Sequence, residues 1–512
     1  MICVSIGRTR HKMIVLEHRA LAERGAQLVE LRLDWLSRIP DLGRLIDSRP
    51  TPVIITCRRR EDGGRWRGNE DQRLTILRSA IVAGVEYVDI EEDIASSIPR
   101  YGDTKRIISY HNFEETPADI EQIHARMTKL DPDIIKVVTL ANSPGDAVRM
   151  LELSRRSDIP TIGFCMGEMG LFSRVLCGKF GSPITYATFS RDRELAPGQL
   201  SFEEMRDIYR YDDITAETQV FGVIGDPVAH SMSPLVHNFA FQAADINAVY
   251  VPLRVPQDTL ARSLDELSSI GIRGFSVTIP HKQAAADYSQ YASESVRAIG
   301  AANTLLRSEL DEWSSENTDY DAALQSVLLG IDKDNPDEAS LMGQKVMLLG
   351  AGGAARAVAL AMVRSGAIVT IAGRTHKRAI ELADEIGCQH CSWENRGAGE
   401  PDILINCTPV GMHPEVDDTP YAEHWLTENM VVFDTVYNPI ETPMLKAARA
   451  RGCKLMVGNM VGTSLGMAPA FVIAQLCDFV DIDGPLLLKH DHLEGLRYHK
   501  GRVNGLTPAL WG

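Results

Sequence analysis

The chain has 512 residues, 44% of them hydrophobic, and a net charge of −16 from 53 basic and 69 acidic side chains. That length exceeds what one core accommodates and predicts two to four domains, while the acidic balance argues against a polyanion such as nucleic acid as a partner. No apolar run reaches the roughly 18 residues of a membrane span, and the chain starts on ICVSI instead of a basic or amphipathic leader, so a soluble cytoplasmic protein is expected.

From the first residue to about 212, eight β-branched runs alternate with stretches of helical pattern. They are ICVSI (2–6), LVELR (28–32), VIITC (53–57), EYVDI (86–90), RIISY (106–110), DIIKVV (133–138), PTIGF (160–164) and ITYAT (184–188). Continuous apolar strands buried on both faces, separated by helices, imply parallel pairing. Eight such units predict a compact, closed (β/α)8 barrel.

In such a barrel the carboxyl ends of the strands face the reaction. Glu30 and Arg32 end the second run, Arg58 follows the third, His111 follows the fifth and Lys136 lies within the sixth. Arg174 lies beyond the seventh and Gln199 beyond the eighth. The set suits a carbonyl substrate that carries an anion. Lys136, flanked by apolar residues, reads either as a desolvated amine able to form a Schiff base or as an amine that pairs with a carboxylate or reaches solvent. His111 is the matching general base or acid.

The segments SYHNFEETP, PDIIKVV, GLFSRVLCGKFGSPITYATF and APGQ together resemble the type I 3-dehydroquinate dehydratases over residues 1–212. The resemblance implies that Lys136 forms an imine with the C3 ketone and that His111 removes a C2 proton so that water leaves. It implies further that Arg174 pairs with the substrate carboxylate, and that Ser5, Glu30, Arg32, Arg58 and Gln199 hold the hydroxyls and ring. Two positions depart from the family pattern. Asp62, preceded by Glu61, stands where a glutamate usually precedes the Gly-Gly of the third loop, and Leu195 replaces a usual serine before APGQ.

A short polar segment, about 211–219, leads to a second half unrelated to the first. KVMLLGAGGAARAVALAM (345–362) is a strand, a glycine-rich turn and an alanine-rich helix. Gly350 permits the tight turn, Gly352 lets the backbone approach a pyrophosphate, and Ala351, Gly353 and Ala354 complete the turn, with the small Ala355 allowing close helix packing. About 20 residues on, where an acid would bind the ribose hydroxyl of NAD, stand Arg374, Thr375 and Arg378. They suit a 2′-phosphate and therefore NADP, the alternative being basic residues on a solvated loop.

GDPVAHSMSPLVHN, GFSVTIPHK, AIGAANTLL, ENTDYDAAL, ILINCTPVGM, VFDTVYNP and MVGNM resemble the shikimate dehydrogenase family over about 220–480. Lys282 is the candidate proton donor to a ketone oxygen, with Asp319 as the charge that orients it; the resemblance names the same pair. It also implies that Ser231 and Ser233 bind the carboxylate, that Thr278, Asn303 and Tyr437 hold hydroxyls, and that Thr408 and Gly458 line the nicotinamide. A Lys-Asp pair is also a common structural ion pair, and Ser-x-Ser a common helix cap. Ser464 stands nearest to a glutamine that the family usually carries.

The two halves together resemble the fusion of these two enzymes known from plants. The expected class is α/β: a barrel at 1–212, a substrate-binding domain at 218–322 completed by about 460–480, a Rossmann NADP-binding domain at 323–459, and an extension at 481–512 of no assigned role. The resemblance implies that 3-dehydroquinate is dehydrated and the product reduced to shikimate with NADPH, the dehydratase half needing no cofactor. Other readings are a quinate or shikimate dehydrogenase working catabolically with NAD, and a metabolite-sensing regulator without catalysis. The oligomeric state stays open, a dimer among the choices. The nine cysteines are scattered, which suits reduced thiols. Neither CQHC (388–391) nor His490, His492 and His499 has ligand spacing, so no metal is expected.

Overall fold

The computed structural model describes residues 1–457 apart from 230, 333, 334, 337, 437, 438 and 440, and beyond them the segments 497–499 and 502–504. The chain divides into two compact units, Met1–Pro234 with Asn247–Arg273, and Leu235–Ile246 with Gly274–Gly512.

The first unit opens with eight strands: β1 (Ile2–Ile6), β2 (Leu28–Arg32), β3 (Val53–Thr56), β4 (Tyr87–Glu91), β5 (Lys105–Asn112), β6 (Ile134–Leu140), β7 (Thr161–Met166) and β8 (Thr185–Thr188). They are parallel and ordered β7-β6-β5-β4-β3-β2-β1-β8. Each lies within two residues of its apolar run. The cause is burial on both faces: β1, β3, β7 and β8 are buried along their whole length, which only continuous apolar sequence tolerates.

The expected closed ring is nearly closed. Among the described residues β7 and β8 are the two ends of the hydrogen-bonded order. The connection between them takes groups that a ladder would use. Cys165 N donates to Ser173 Oγ (2.9 Å), and Arg174 Nη1 donates to Tyr186 O (3.4 Å). Side chains thus cap backbone groups that cannot be left unpaired in a buried site.

After the barrel, β9 (Gln219–Gly225) and β10 (Ala248–Arg254) pair in parallel, and the helix Leu260–Ser268 packs against the barrel helix Pro144–Arg156. Arg254 at the end of β10 bonds both Asp226 (2.8 Å) and Glu168 of the loop after β7 (2.7 Å). The contact is tight at Gly145, where a Cβ would fall 2.5 Å from Glu266 Oε2.

The second unit holds most of β11 (Ile272–Val277), together with β12 (Tyr291–Ala292), β13 (Thr304–Arg307) and β14 (Trp313–Glu316). β13 runs antiparallel to β11 and β14. Six parallel strands follow: β15 (Lys345–Leu349), β16 (Ile368–Ala372), β17 (Gln389–Cys391), β18 (Ile403–Asn406), β19 (Val431–Asp434) and β20 (Lys454–Val457). Their order, β17-β16-β15-β18-β19-β20, reverses direction between β15 and β18, which is the topology of dinucleotide-binding sheets. The helix Gly353–Arg364 after β15 buries Ala355, Ala357, Ala359 and Ala361 completely. Alanine there lets the helix lie close to its neighbours at little entropic cost.

No described helix is long and apolar enough to cross a membrane.

Three barrel histidines are held neutral by burial. His18, bonded to Thr51 Oγ1 (2.8 Å), is pushed down to about 4, and His111 and His124 are also lowered. The unfolded chain protonates such groups near pH 6.5 while the folded chain refuses the proton, so stability is full above that pH and is lost as pH falls toward the folded value. For His18 the loss between pH 8 and pH 5 is about 2 kcal/mol. Urea unfolding of His18→Gln should show a shallower decline over that window than the parent; an equal decline would remove His18 from the account.

Candidate active sites

The carboxyl ends of the barrel strands converge on a cleft. All nine barrel residues singled out from the sequence line it: Ser5, Glu30, Arg32, Arg58, Asp62, His111, Lys136, Arg174 and Gln199. Strand register explains the convergence. Ser5 lies opposite Glu30 on β1 and β2, Arg32 opposite Thr56 on β2 and β3, and Ser109 opposite Lys136 on β5 and β6.

Lys136 sits at the centre. Its Nζ donates to Asp89 Oδ2 at 3.0 Å, lies 3.9 Å from Glu30 Oε1, and stands 4.0 Å from the centroid of the Tyr186 ring. Glu30 is itself fixed by Ser5 Oγ (2.5 Å) and Thr56 Oγ1 (2.7 Å). Asp89 is shared: Arg58 Nη2 donates to it at 2.6 Å and Ser109 Oγ at 2.6 Å. Arg58 and Lys136 together hold the buried Asp89 carboxyl far below the usual carboxylate range despite desolvation. Arg58 also bonds Glu91 (2.8 Å), which in turn accepts from Arg73 (2.7 Å). The Lys136 alternative left open by the sequence is therefore half realised, since the amine does pair with a carboxylate.

His111, near the end of β5, stacks on Phe113 with ring centroids 6.2 Å apart. Its Nδ1 is buried with no partner among the described residues. Burial and the charges of Arg58 and Lys136 hold it well below the ordinary histidine range, which favours the neutral imidazole.

Arg174 differs from the other arginines. It is 1% exposed, has no carboxylate at ion-pair distance among the described residues, and leaves Nε unpartnered. Its guanidinium stacks over Phe164 at 4.4 Å, and burial pulls it down to about 10. A buried cation without a counter-ion is a site for an anion. Arg32, by contrast, is clamped by both oxygens of Asp34 at 2.9 Å.

The loop after β3 answers a question of detail. Asp62 lines the cleft and bonds Arg59 (2.7 Å), whereas the Glu61 side chain is 72% exposed and also reaches Arg59 (3.2 Å). Gly63 and Gly64 are required by close approach. A Cβ would fall 2.2 Å from the Phe113 ring at Gly63, where φ is +74°, and 2.1 Å from Arg58 O at Gly64. Leu195 lines the cleft beside Gly7, and Gln199 turns its Oε1 back to accept from Leu195 N (2.8 Å) and Ala196 N (3.2 Å).

Sequence reasoning overlooked Asp89, Glu91, Ser109 and Tyr186. Asp89 carried the same signal as Lys136, a charge inside an apolar run.

In the second unit, Lys282 opens the helix Lys282–Tyr288 and Asp319 opens the helix Asp319–Ile331. Lys282 Nζ donates to Asp319 Oδ2 at 2.5 Å, and Asn303 Nδ2 donates to Asp319 Oδ1 at 2.8 Å. Asp319 N in turn donates to Asn317 Oδ1 (3.1 Å). Thr278 follows β11, half-buried. In the first unit, Ser231 Oγ accepts from Ser233 N (3.2 Å), the first residue of the helix Ser233–Ala243. Tyr437, Gly458 and Ser464, and all of 481–512 but its two short strands, lie outside the described residues.

The glycine turn lies at the sheet's switch point. Gly350 has φ +117°, and a Cβ there would meet Cys407 O at 2.8 Å. Ala351, Gly352, Gly353 and Ala354 lead into a helix whose N-terminus carries no side-chain cap, so its first N–H groups are free for an anion. A Cβ on Gly353 would lie 3.6 Å from Lys282 Cδ, which puts the Lys-Asp pair beside the turn. Thr408 N and Oγ1 donate to Asn406 Oδ1, and Asn406 donates to Asp434 Oδ1 (2.9 Å), a carboxyl pushed up to about 6 by burial. Arg374, Thr375 and Arg378 are exposed after β16, and neither arginine has an ion pair among the described residues. The residues present fit an NADP-type dinucleotide. No group of three or more possible metal ligands occurs among the described residues.

Comparison with known proteins gives a concordant set. Residues 2–216 match the type I 3-dehydroquinase family, 223–305 the shikimate dehydrogenase substrate binding domain, and 334–413 the shikimate / quinate 5-dehydrogenase family. The chloroplastic bifunctional 3-dehydroquinate dehydratase/shikimate dehydrogenase of Arabidopsis thaliana is 37% identical over 480 residues, covering 90% of this chain and 79% of that protein. The NADP(+) shikimate dehydrogenase of Caldanaerobacter subterraneus is 40% identical over 249 residues, 47% of this chain and 86% of the relative. A crystal structure of a shikimate dehydrogenase in complex with NADP+ superposes with a TM-score of 0.44 at 34% identity, over 50% of this chain and 87% of that chain.

Proposed function

Since the chain belongs to the family of bifunctional 3-dehydroquinate dehydratase/shikimate dehydrogenases, we propose that Lys136 and His111 carry its dehydration step and Lys282 and Asp319 its reduction step. The dehydratase is assigned to 1–212, the reductase substrate domain to 218–322, and the cofactor domain to 323–459. The observation that carries the reading is the pairing, in one cleft, of a buried amine with a buried arginine that has no counter-ion among the described residues.

Arg174 takes the carboxylate of 3-dehydroquinate. The Lys136 ammonium gives two of its three protons to the carbonyl oxygen as its nitrogen bonds to C3, so that the oxygen leaves as water and a protonated iminium remains. The iminium then draws the electron pair of the C2–H bond as neutral His111 takes the proton. That pair next expels the β-hydroxyl, which leaves as water with the proton from His111. A water molecule finally adds its oxygen to C3 and its two protons to the nitrogen, which releases 3-dehydroshikimate and restores the Lys136 ammonium. Glu30, Asp62, Arg32, Arg58, Ser5 and Gln199 orient the ring.

For the second reaction the resemblance to the shikimate dehydrogenases assigns Ser231 and Ser233 to the carboxylate and Thr278, Asn303 and Tyr437 to the hydroxyls. NADPH supplies a hydride to the ketone carbon when bound. Lys282, oriented by Asp319, donates the proton to the ketone oxygen. Gly350 to Ala354 cradle the pyrophosphate, Arg374, Thr375 and Arg378 the 2′-phosphate, and Thr408 and Gly458 the nicotinamide side.

Adding 3-dehydroquinate to the purified chain should raise enone absorbance, which NADPH should then remove. Borohydride with substrate should label Lys136. A label elsewhere would overturn the imine assignment. For the cofactor, Arg374→Ala/Arg378→Ala should raise KM for NADPH by about 10- to 150-fold, the equivalent of losing charged hydrogen bonds of about 1.5–3 kcal/mol, and leave KM for NADH nearly unchanged. Equal effects on both cofactors would remove the arginines from phosphate recognition.

A further inference from the structure

The roles proposed for the barrel leave Tyr186 without one, although it is 3% exposed, lines the cleft, and has an Oη with no partner among the described residues. Its ring covers the Lys136 nitrogen at 4.0 Å from the centroid. Resting on the Schiff-base reading above, we infer that the Tyr186 ring face is a catalytic surface that keeps the Lys136 imine in its protonated, positively charged form during dehydration.

The argument starts from what surrounds the nitrogen. Asp89 on β4 lies 3.0 Å away and Glu30 on β2 lies 3.9 Å away. Arg32 at the end of β2, Asp62 and Arg58 after β3, Glu91 on β4, His111 on β5, Cys3 on β1 and Arg174 after β7 are the other titratable groups around it. When the amine adds to the ketone and water leaves, the nitrogen retains one proton and one positive charge. Only in that state does it withdraw the electron pair freed when His111 takes the C2 proton. A deprotonated imine is a poor sink.

The two carboxylates favour the charge, but a carboxylate also carries lone pairs that can accept the imine proton, although Arg58 makes Asp89 a weak acceptor. An aromatic face differs. Its negative quadrupole attracts a cation, and it has no lone pair able to take the proton. Ammonium and iminium carry the same charge, so the ring favours neither strongly over the other; its effect falls on the competition between iminium and neutral imine. Lys136 and Tyr186 are both buried, which strengthens the attraction.

The test is the pH dependence of dehydratase kcat in the full chain, which reports groups in the substrate complex, with dehydrogenase activity of the same samples as the control for folding. Tyr186→Met and Tyr186→Leu remove the ring by two routes, so that misfolding of one leaves the other. Both should move the basic limb of the profile toward acid by about one pH unit, a tenfold change in proton affinity. Tyr186→Phe keeps the ring and should keep the limb. An unmoved limb in the two ring-less variants, or an equal displacement in Tyr186→Phe, overturns the inference. Borohydride labelling of Lys136 in the parent chain separates this from the underlying reading: no label there sinks the imine itself, whereas a label with an unmoved limb sinks only the role of Tyr186.

Discussion

Lys136→Met is expected to lower dehydratase turnover by more than about 10⁴-fold, beyond what one acid–base group contributes, while shikimate dehydrogenase activity stays within about twofold of the parent. The size follows from the kind of step removed. Without Nζ no covalent electron sink forms, and His111 would have to take a proton from a carbon next to an unactivated ketone. The fold should survive, because Asp89 keeps its 2.6 Å bonds to Arg58 and Ser109 and methionine fills the space of the alkyl stem. Enone absorbance with 3-dehydroquinate measures the first activity, and NADPH oxidation with 3-dehydroshikimate the second. Residual dehydratase turnover above one-hundredth of the parent's would show that the imine is dispensable.

The reciprocal substitution, Lys282→Met, should cut dehydroshikimate reduction by about 10²- to 10⁴-fold with dehydration unchanged. The proton donor is lost, while the glycine turn is untouched, so KM for NADPH should remain near that of the parent. Asp319→Asn should be milder, since the amide still accepts a bond from Lys282 but no longer supplies the charge. If Asp319 acts by orienting Lys282, the double variant should be no worse than Lys282→Met alone. Additive losses would assign Asp319 an independent task.

The fold was legible where burial on both faces left no room for polar residues, which is why all eight barrel strands stand out as apolar runs. Whether the ring closes was not legible. It depends on how Ser173 and Arg174 dispose of the backbone groups of β7 and β8, and hydrogen bonds of that kind have no period in the sequence. The candidate site was legible where a charged residue ends or interrupts an apolar run, as with Glu30, Lys136 and His111. By the same rule Asp89 in EYVDI was readable and was passed over. Tyr186 carried no such signal, because an aromatic residue in a strand ordinarily reads as core. Nor could spacing show that Arg174 has no counter-ion among the described residues while Arg32 and Arg58 have theirs; that is a property of three-dimensional neighbours. Tyr437 and Gly458 lie outside the described residues.

The contact of Gly145 with Glu266, and of Arg254 with Glu168 and Asp226, bears on how two enzymes come to share one gene. The border visible in composition, near 211–219, is not where the molecule would part cleanly. Cutting there would strip the barrel helix Pro144–Arg156 of the helix packed on it and leave Glu168 without its arginine. Any side chain at 145 would also have to displace Glu266. The border in composition and the border in contacts are therefore different lines: residues 247–273 belong to one compact unit with the barrel. A cut placed by sequence alone would fall inside that unit.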